Sequence, residues 1–242
     1  MAKRTLAGLD VSGKTVLVRV DFNIPIEQGV EAIASYDQRL RATLPTIRNL
    51  QGRNCRIVLC SHLGRPGGKF VESLRLAHVG ARLEILLGQP VTCLPDCKGP
   101  EVEAAVAAAR PGDVLLLENL RFHAGEEANE PGFAQALAKL ADCFVMDAFA
   151  VAHRTHATTV GVPGLLPSST GLLVEREVQA LRVTLDVKEE NKPLAALMGG
   201  AKVADKILIL ENLLDRLDHL VIGGGMAVTF LHAMGKPTGA SA

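Results

Sequence analysis

RIVLCSHLGRPGGK, residues 56–69, is an apolar run that breaks at once into His62, a rigid Gly64-Arg65-Pro66 turn and the pair Gly67-Gly68. Aliphatic and β-branched residues bounded by glycine and proline read as a strand feeding a loop. In open α/β sheets, ligands bind beyond the carboxyl ends of parallel strands. His62 and Arg65 therefore stand where an anionic small molecule is expected, as two cationic or hydrogen-bond-donating side chains on one loop.

Outward from this stretch, short β-rich runs alternate with helical patterns along the chain. Strands are expected at 15–22, 56–61, 91–94, 113–118, 143–147, 194–198 and 219–222. Helical spacing joins Leu40, Leu44, Ile47 and Leu50, then Leu74, Ala77, Ala81 and Ile85 up to Gly88. Further helices are expected at 101–109, 133–141 and 207–217. THATTVGVPGLLPSSTG, residues 155–171, reads as a linker. It leads into an amphipathic helix over 171–186, with Leu172, Val178, Leu181 and Leu185 on one side. The pattern predicts an α/β fold. A three-layer parallel-sheet N-terminal domain spans 1–168, an interdomain helix or hinge 169–188, and an incomplete second Rossmann-like α/β domain 189–242. Two parallel strands with one crossover are a poor independent core.

Composition narrows the function classes. The 26 basic and 26 acidic residues cancel, which argues against nonspecific nucleic-acid or anionic-membrane binding. Any anion site must come from placement. Aromatics are only 3% with no Trp, so the core is aliphatic, as suits a helix-covered parallel sheet. The first residues lack a signal-peptide apolar core, and no run approaches the roughly 18 apolar residues of a span. A cytoplasmic protein is expected, without membrane or nucleic-acid partners and monomeric. Five cysteines do not read as a disulfide framework. Cys55, Cys60 and Cys143 read as buried thiols. Cys93 and Cys97 lack a second ligand pair, so no metal site is assigned.

Gly8 to Thr15 satisfies G-x-x-x-x-G-K-[ST], but a β-branched run follows it where a phosphate-binding loop needs a helix. It reads as a turn entering the first strand. The stronger signal is convergence at strand ends: Asp21 and Asn23; His62 and Arg65; Glu118, Arg121 and His123; Asp147, then His153, Arg154 and His156. Arg65, Arg121 and Arg154 would surround a phosphate or carboxylate with planar donors. Arg39 and Arg41 follow Asp37, a candidate N-cap. Cations there oppose the helix dipole, a conflict that an external anion would relieve. Farther on, Gly199-Gly200 with Lys202 and Lys206, and Gly223-Gly224-Gly225, are glycine turns after strands. They suit a polyphosphate chain.

VRVDFNIPI, DQRLRATLPTI, SHLGRP, LLLENLRFHAGEE, VMDAFAVAHRTHATTVG, MGGAKVADKI and VIGGGMAVTFLHAMG together resemble, in order, the signature blocks of the phosphoglycerate kinases. The resemblance implies reversible phosphoryl transfer between 1,3-bisphosphoglycerate and MgADP, giving 3-phosphoglycerate and MgATP. It implies that Asp21, Asn23, Arg39, His62, Arg65, Arg121 and Arg154 hold the phosphoglycerate. Gly199, Gly200, Lys202 and Lys206 would hold nucleotide phosphates, with Gly223, Gly224 and Gly225 lining that site. Arg39, Lys202 and Lys206 are the catalytic candidates. Mg2+ would enter with the nucleotide, its contacting Asp belonging to the family's later C-terminal region.

The chain departs from the family at Ala150 and Val151, where Gly and Thr are usual, and at Met146, where Asn is frequent. The resemblance covers the family's N-terminal domain, interdomain helix and the opening of its C-terminal domain. Two readings follow, a phosphoglycerate kinase and a noncatalytic 3-phosphoglycerate-binding fragment. A NAD-binding enzyme is disfavoured because no G-x-G-x-x-G is present.

Overall fold

A computed structural model describes residues 4–25, 30–185, 192–200, 203 and 206–240. The chain divides into two compact units, Met1–Glu177 and Val178–Ala242.

The first unit is built on a six-stranded sheet of β1 (Thr15–Val20), β2 (Arg56–Cys60), β3 (Val91–Cys93), β4 (Val114–Leu116), β5 (Cys143–Asp147) and β6 (Ser168–Thr170). Its order is β3-β4-β2-β1-β5-β6 and every pair is parallel. All six positions of β1 are buried, because neighbouring residues alternate faces and both faces are covered. Val16, Val18 and Val20 share one cluster with Leu40, Ile47 and Leu50 of α1 (Gln38–Gln51) and Val79 and Leu83 of α2 (Ala77–Leu87). Leu17, Val58, Leu115 and Phe144 pack on the other side. They meet Val102 and Val106 of α3 (Pro100–Ala108) and Phe133 and Leu137 of α5 (Pro131–Ala138). The short α4 (Ala124–Glu127) precedes α5. Three layers result, as the run of apolar strands predicts. Pro100 and Pro131 open their helices, where a fixed φ helps and a missing N–H costs nothing.

Three local expectations need correction. Residues 155–171 do not run as a linker. They form a π-helical turn (Ala157–Gly161), α6 (Val162–Leu165) and then β6, which pairs with β5 through Phe144 and Ser168. Their small side chains allow close packing, and Ala157, Thr158 and Val162 are fully buried. Leu74 belongs to a separate 3-10 turn, Glu72–Leu74, and α2 starts at Ala77. Asp37 precedes α1 but makes no side-chain cap. Its carboxylate instead accepts from Arg41 Nε at 2.8 Å and Arg82 Nη2 at 2.6 Å, and the two guanidinium groups, Arg41 first, hold it below the usual carboxylate range. The dipole conflict at Arg41 is therefore relieved from within.

At the start of α7 (Leu172–Leu185), Asp147 Oδ1 accepts the N–H groups of Leu173 and Val174 at 2.9 and 3.3 Å. A Cβ on Gly171 would lie 2.4 Å from that oxygen, so only glycine allows this approach. The second unit pairs β7 (Ala195–Gly199) with β8 (His219–Gly223) in parallel, beside α8 (Ile207–Leu214) and α9 (Gly224–Ala233). Its buried apolar side chains among the described residues are Leu210 and Met226, whereas Leu197 on β7 is 81% exposed.

The first sheet carries the stability of the first unit. Leu17→Ala empties a fully buried site and should cost about 2–5 kcal/mol in a denaturant titration. A loss under about 1 kcal/mol would contradict the two-sided core.

Candidate functional site

Four strand exits of the first sheet meet in one cavity of about 660 Å³. Asp21, Asn23, Arg39, His62, Arg65, Arg121 and Arg154 all line it, with Ile24, Leu74, Ala150 and Val151 among their neighbours. Among the described residues, the lining sets the cations Arg39, Arg65, Arg121 and Arg154 against a single carboxylate, Asp21. The site lies where β1 and β5 are adjacent and the connections leave in opposite directions, β1 to β2 one way and β5 to β6 the other. That is the switch point at which such sheets bind ligands.

Local hydrogen bonding fixes most of the lining before any ligand arrives. Asn119, fully buried at the exit of β4, donates through Nδ2 to the carbonyls of Leu63 and Leu74 at 2.7 and 3.0 Å. Its Oδ1 accepts from the N–H groups of Leu63 and Arg121 at 3.2 and 3.1 Å. One amide thus ties the loop after β2 to the turn carrying Arg121. Gly64 has φ 63° and a Cβ there would meet Leu74 at 2.8 Å, so the Gly-Arg-Pro turn demands glycine. Asn23 Oδ1 accepts from Gly64 N–H at 2.9 Å, which leaves its amide N–H group as a donor.

The charged groups differ in freedom. Arg121 is buried, donates to the Gly64 carbonyl at 2.8 Å and pairs with Glu127 at 3.1 Å. Burial lowers its pKa first, with Glu127 opposing. Arg39 pairs with Asp21, whose other oxygen accepts from Asn23 N–H at 3.1 Å. Arg65 and Arg154 are exposed and have no ion-pair partner among the described residues. Two cations are thus held in place and two are open.

His62 is a neutral donor, which settles the choice between cation and donor. Its Nδ1 lies 3.0 Å from Arg19 Nη2. A guanidinium can only donate, so Nδ1 accepts and the proton sits on Nε2. Burial, then the nearby Arg19 and Arg121 charges, push the imidazole pKa down to about 2. The sequence places Arg19 at the end of the first strand without a role, although a lone charge inside the run TVLVRV is the signal that marks it.

Several polar strand-end residues point elsewhere. Glu118 accepts the Leu76 N–H at 2.8 Å and Arg75 Nε at 3.0 Å, holding the start of α2. Asp147 holds α7, as above. His156 faces Glu126 with its Nδ1 at 3.9 Å, and His153 is exposed outside the cavity lining. Cys97 is buried and Cys93 exposed, so the two are not equivalent. Asp96, Cys97 and His123 do gather within 4.8 Å. Asp96 is already paired with His123 at 2.6 Å, while the Cys97 thiol donates to the Glu118 carbonyl at 2.9 Å and burial pushes its pKa well up.

In the second unit, the turns after β7 and β8 lie side by side, Gly199 paired with Gly223. Gly200 accepts from Met226 N–H at 2.8 Å, and Gly224 has φ 62°. Gly225 lies in α9. Lys206 stands at the N-cap of α8 and its ammonium donates to the Gly199 carbonyl. Lys202 lies outside the described residues.

A family model described as phosphoglycerate kinase matches residues 6–242. Phosphoglycerate kinase from Moorella thermoacetica is 54% identical over 241 residues, covering 100% of this chain and 60% of that protein. The one from Thermomicrobium roseum is 54% identical over 238 residues, covering 98% and 59%. Among solved structures, phosphoglycerate kinase from Coxiella burnetii superposes with a TM-score of 0.83 at 39% identity, over 97% of this chain and 57% of that one. The Pyrococcus horikoshii OT3 enzyme gives 0.82 at 33%, over 97% and 58%. The chain thus spans about 60% of the length of the curated relatives it matches. With the signature blocks and the strand-edge cavity, these matches establish that the chain belongs to the phosphoglycerate kinase family.

Proposed function

We propose that the first unit binds 3-phosphoglycerate and its acyl phosphate, 1,3-bisphosphoglycerate. The observation that carries this reading is the pair of guanidinium groups, Arg65 and Arg154, that have no ion-pair partner among the described residues, in a cavity whose other cations and His62 donor are already fixed. A phosphate and a carboxylate on a three-carbon backbone present two anionic ends. Planar guanidinium groups match such ends with paired hydrogen bonds. Asp21 and the Asn23 amide remain for the hydroxyl between them.

The proposed reaction, supported by family membership, is phosphoryl transfer between this acid and a nucleotide. The accepting carboxylate is already ionised, so no base must remove a proton, and rate comes from alignment and charge stabilisation. Arg39 is the candidate in the first unit for contacting the oxygens of the transferring group. Gly199, Gly200 and Lys206, with Gly223, Gly224 and Gly225, are the candidates for nucleotide phosphates, and Lys202 completes that set. Mg2+ belongs to the substrates as MgATP or MgADP. Among the described residues the one candidate ligand cluster is Asp96, Cys97 and His123, whose thiol and imidazole do not suit a hard, oxygen-seeking ion.

A second reading, binding without transfer, is favoured by one observation. The nucleotide half rests on a two-stranded sheet with Leu197 81% exposed. Binding is therefore expected to be robust in the 242-residue chain and turnover with MgATP slight. A coupled assay showing turnover as fast as full-length relatives would reject that second reading.

Arg65 is the test residue for the site because it is exposed and has no hydrogen-bond or ion-pair partner among the described residues. Arg65→Ala should weaken 3-phosphoglycerate binding about 10- to 100-fold in calorimetry, with little change in melting temperature. Unchanged affinity would remove the site's main support. Raising salt should also weaken wild-type binding, since an open cationic site is screened by ions, and salt-independent affinity would argue against it.

A further inference from the structure

A buried line of hydrogen bonds runs beneath His62, and its direction is fixed at each link. Arg19 is 1% exposed, in the middle of β1. Its Nη1 donates to the Val20 carbonyl, its Nη2 to His62 Nδ1 at 3.0 Å, and its Nε to Thr158 Oγ1 at 3.0 Å. Because the guanidinium cannot accept, the Thr158 hydroxyl must spend its own proton elsewhere. Glu126 Oε1 lies 2.5 Å from that hydroxyl, and Glu126 Oε2 accepts the Thr158 N–H at 3.1 Å. Glu126 and Thr158 are both fully buried.

A buried cation needs a compensating charge and filled hydrogen-bond positions. Glu126 makes no direct ion pair with Arg19; the Thr158 hydroxyl joins them. We infer that Thr158 and Glu126 are positioning residues that act through Arg19 to hold His62 with Nδ1 accepting and Nε2–H turned to the anion cavity. Rotating Arg19 would free Nδ1 and let the ring take the other tautomer, losing the donor on the cavity side. The hydrogen-bond part of this inference stands alone; its effect on 3-phosphoglycerate rests on the function proposed above.

The test reads the tautomer without ligand and the affinity with it, in the full 242-residue chain. Long-range proton–nitrogen NMR, with signals assigned by their loss in His62→Asn, should show a protonated Nε2 and a bare Nδ1 in the parent protein. Thr158→Val keeps the side-chain shape and removes the bridge. It should mix the two tautomers and weaken 3-phosphoglycerate binding about tenfold, and Thr158→Ser should restore both. If Thr158→Val does not fold, Glu126→Gln is measured in the same two assays, where a shifted tautomer ratio with weaker binding supports the inference. A proton on Nδ1 in the parent, or either folded variant keeping both tautomer and affinity, overturns it. If the tautomer changes as expected but the parent binds no 3-phosphoglycerate, the positioning stands and the proposed substrate falls.

Discussion

Gathering four guanidinium groups and a histidine around one cavity sets like charges against one another, and the surrounding structure is arranged to bear that repulsion. Each remedy is local and physical. Asp21 pairs with Arg39, and Glu127 with Arg121. Glu126 reaches Arg19 through Thr158. His62 stays neutral, since burial and two neighbouring arginines make a further positive charge too costly. What remains is two open cations on preformed walls. An anion binding there gains attraction without first reorganising the site.

The walls hold their shape because four chain segments leave the same sheet edge and are then stitched together. The parallel register places the ends of β1, β2, β4 and β5 at one level. Asn119 ties two of those exits by four hydrogen bonds, and Ser61 Oγ ties a third by accepting the Phe22 N–H at 2.9 Å. Gly68 has φ 76°, and a Cβ there would meet Ala124 at 2.8 Å, so the loop after β2 can close on the α4 segment only through glycine. Loop order here comes from side-chain amides, hydroxyls and missing Cβ atoms, with the sheet as the fixed base.

Much of this was legible in the sequence, for identifiable reasons. Strands covered on both faces leave continuous apolar runs, so β1, β2, β4 and β5 stood out, and the polar residues just beyond them marked the edge. The cavity lining followed from that placement. The Arg19–Thr158–Glu126 connection was not legible, because its links join residues 139 and 32 positions apart. Asp37 resembled a helix cap because the partner that claims it, Arg82, is 45 residues away. Residues 155–171 resembled a linker because small and polar side chains suit both open loops and tight packing; only the contact with β5 distinguishes β6. Glu118 and Asp147 sat at the right strand ends yet serve neighbouring helices, since a buried helix N-terminus competes for the same carboxylates.

The proposed 3-phosphoglycerate site lies at the carboxyl edge of the first sheet. Backbone amide NMR during titration with 3-phosphoglycerate probes that edge residue by residue. Saturable shifts are expected to cluster at Asn23, Gly64, Arg65, Arg121 and Val151, all lining the same cavity, with glycerate producing far weaker changes at the same residues. Shifts confined to other surfaces, or no saturable change at that edge, would contradict it.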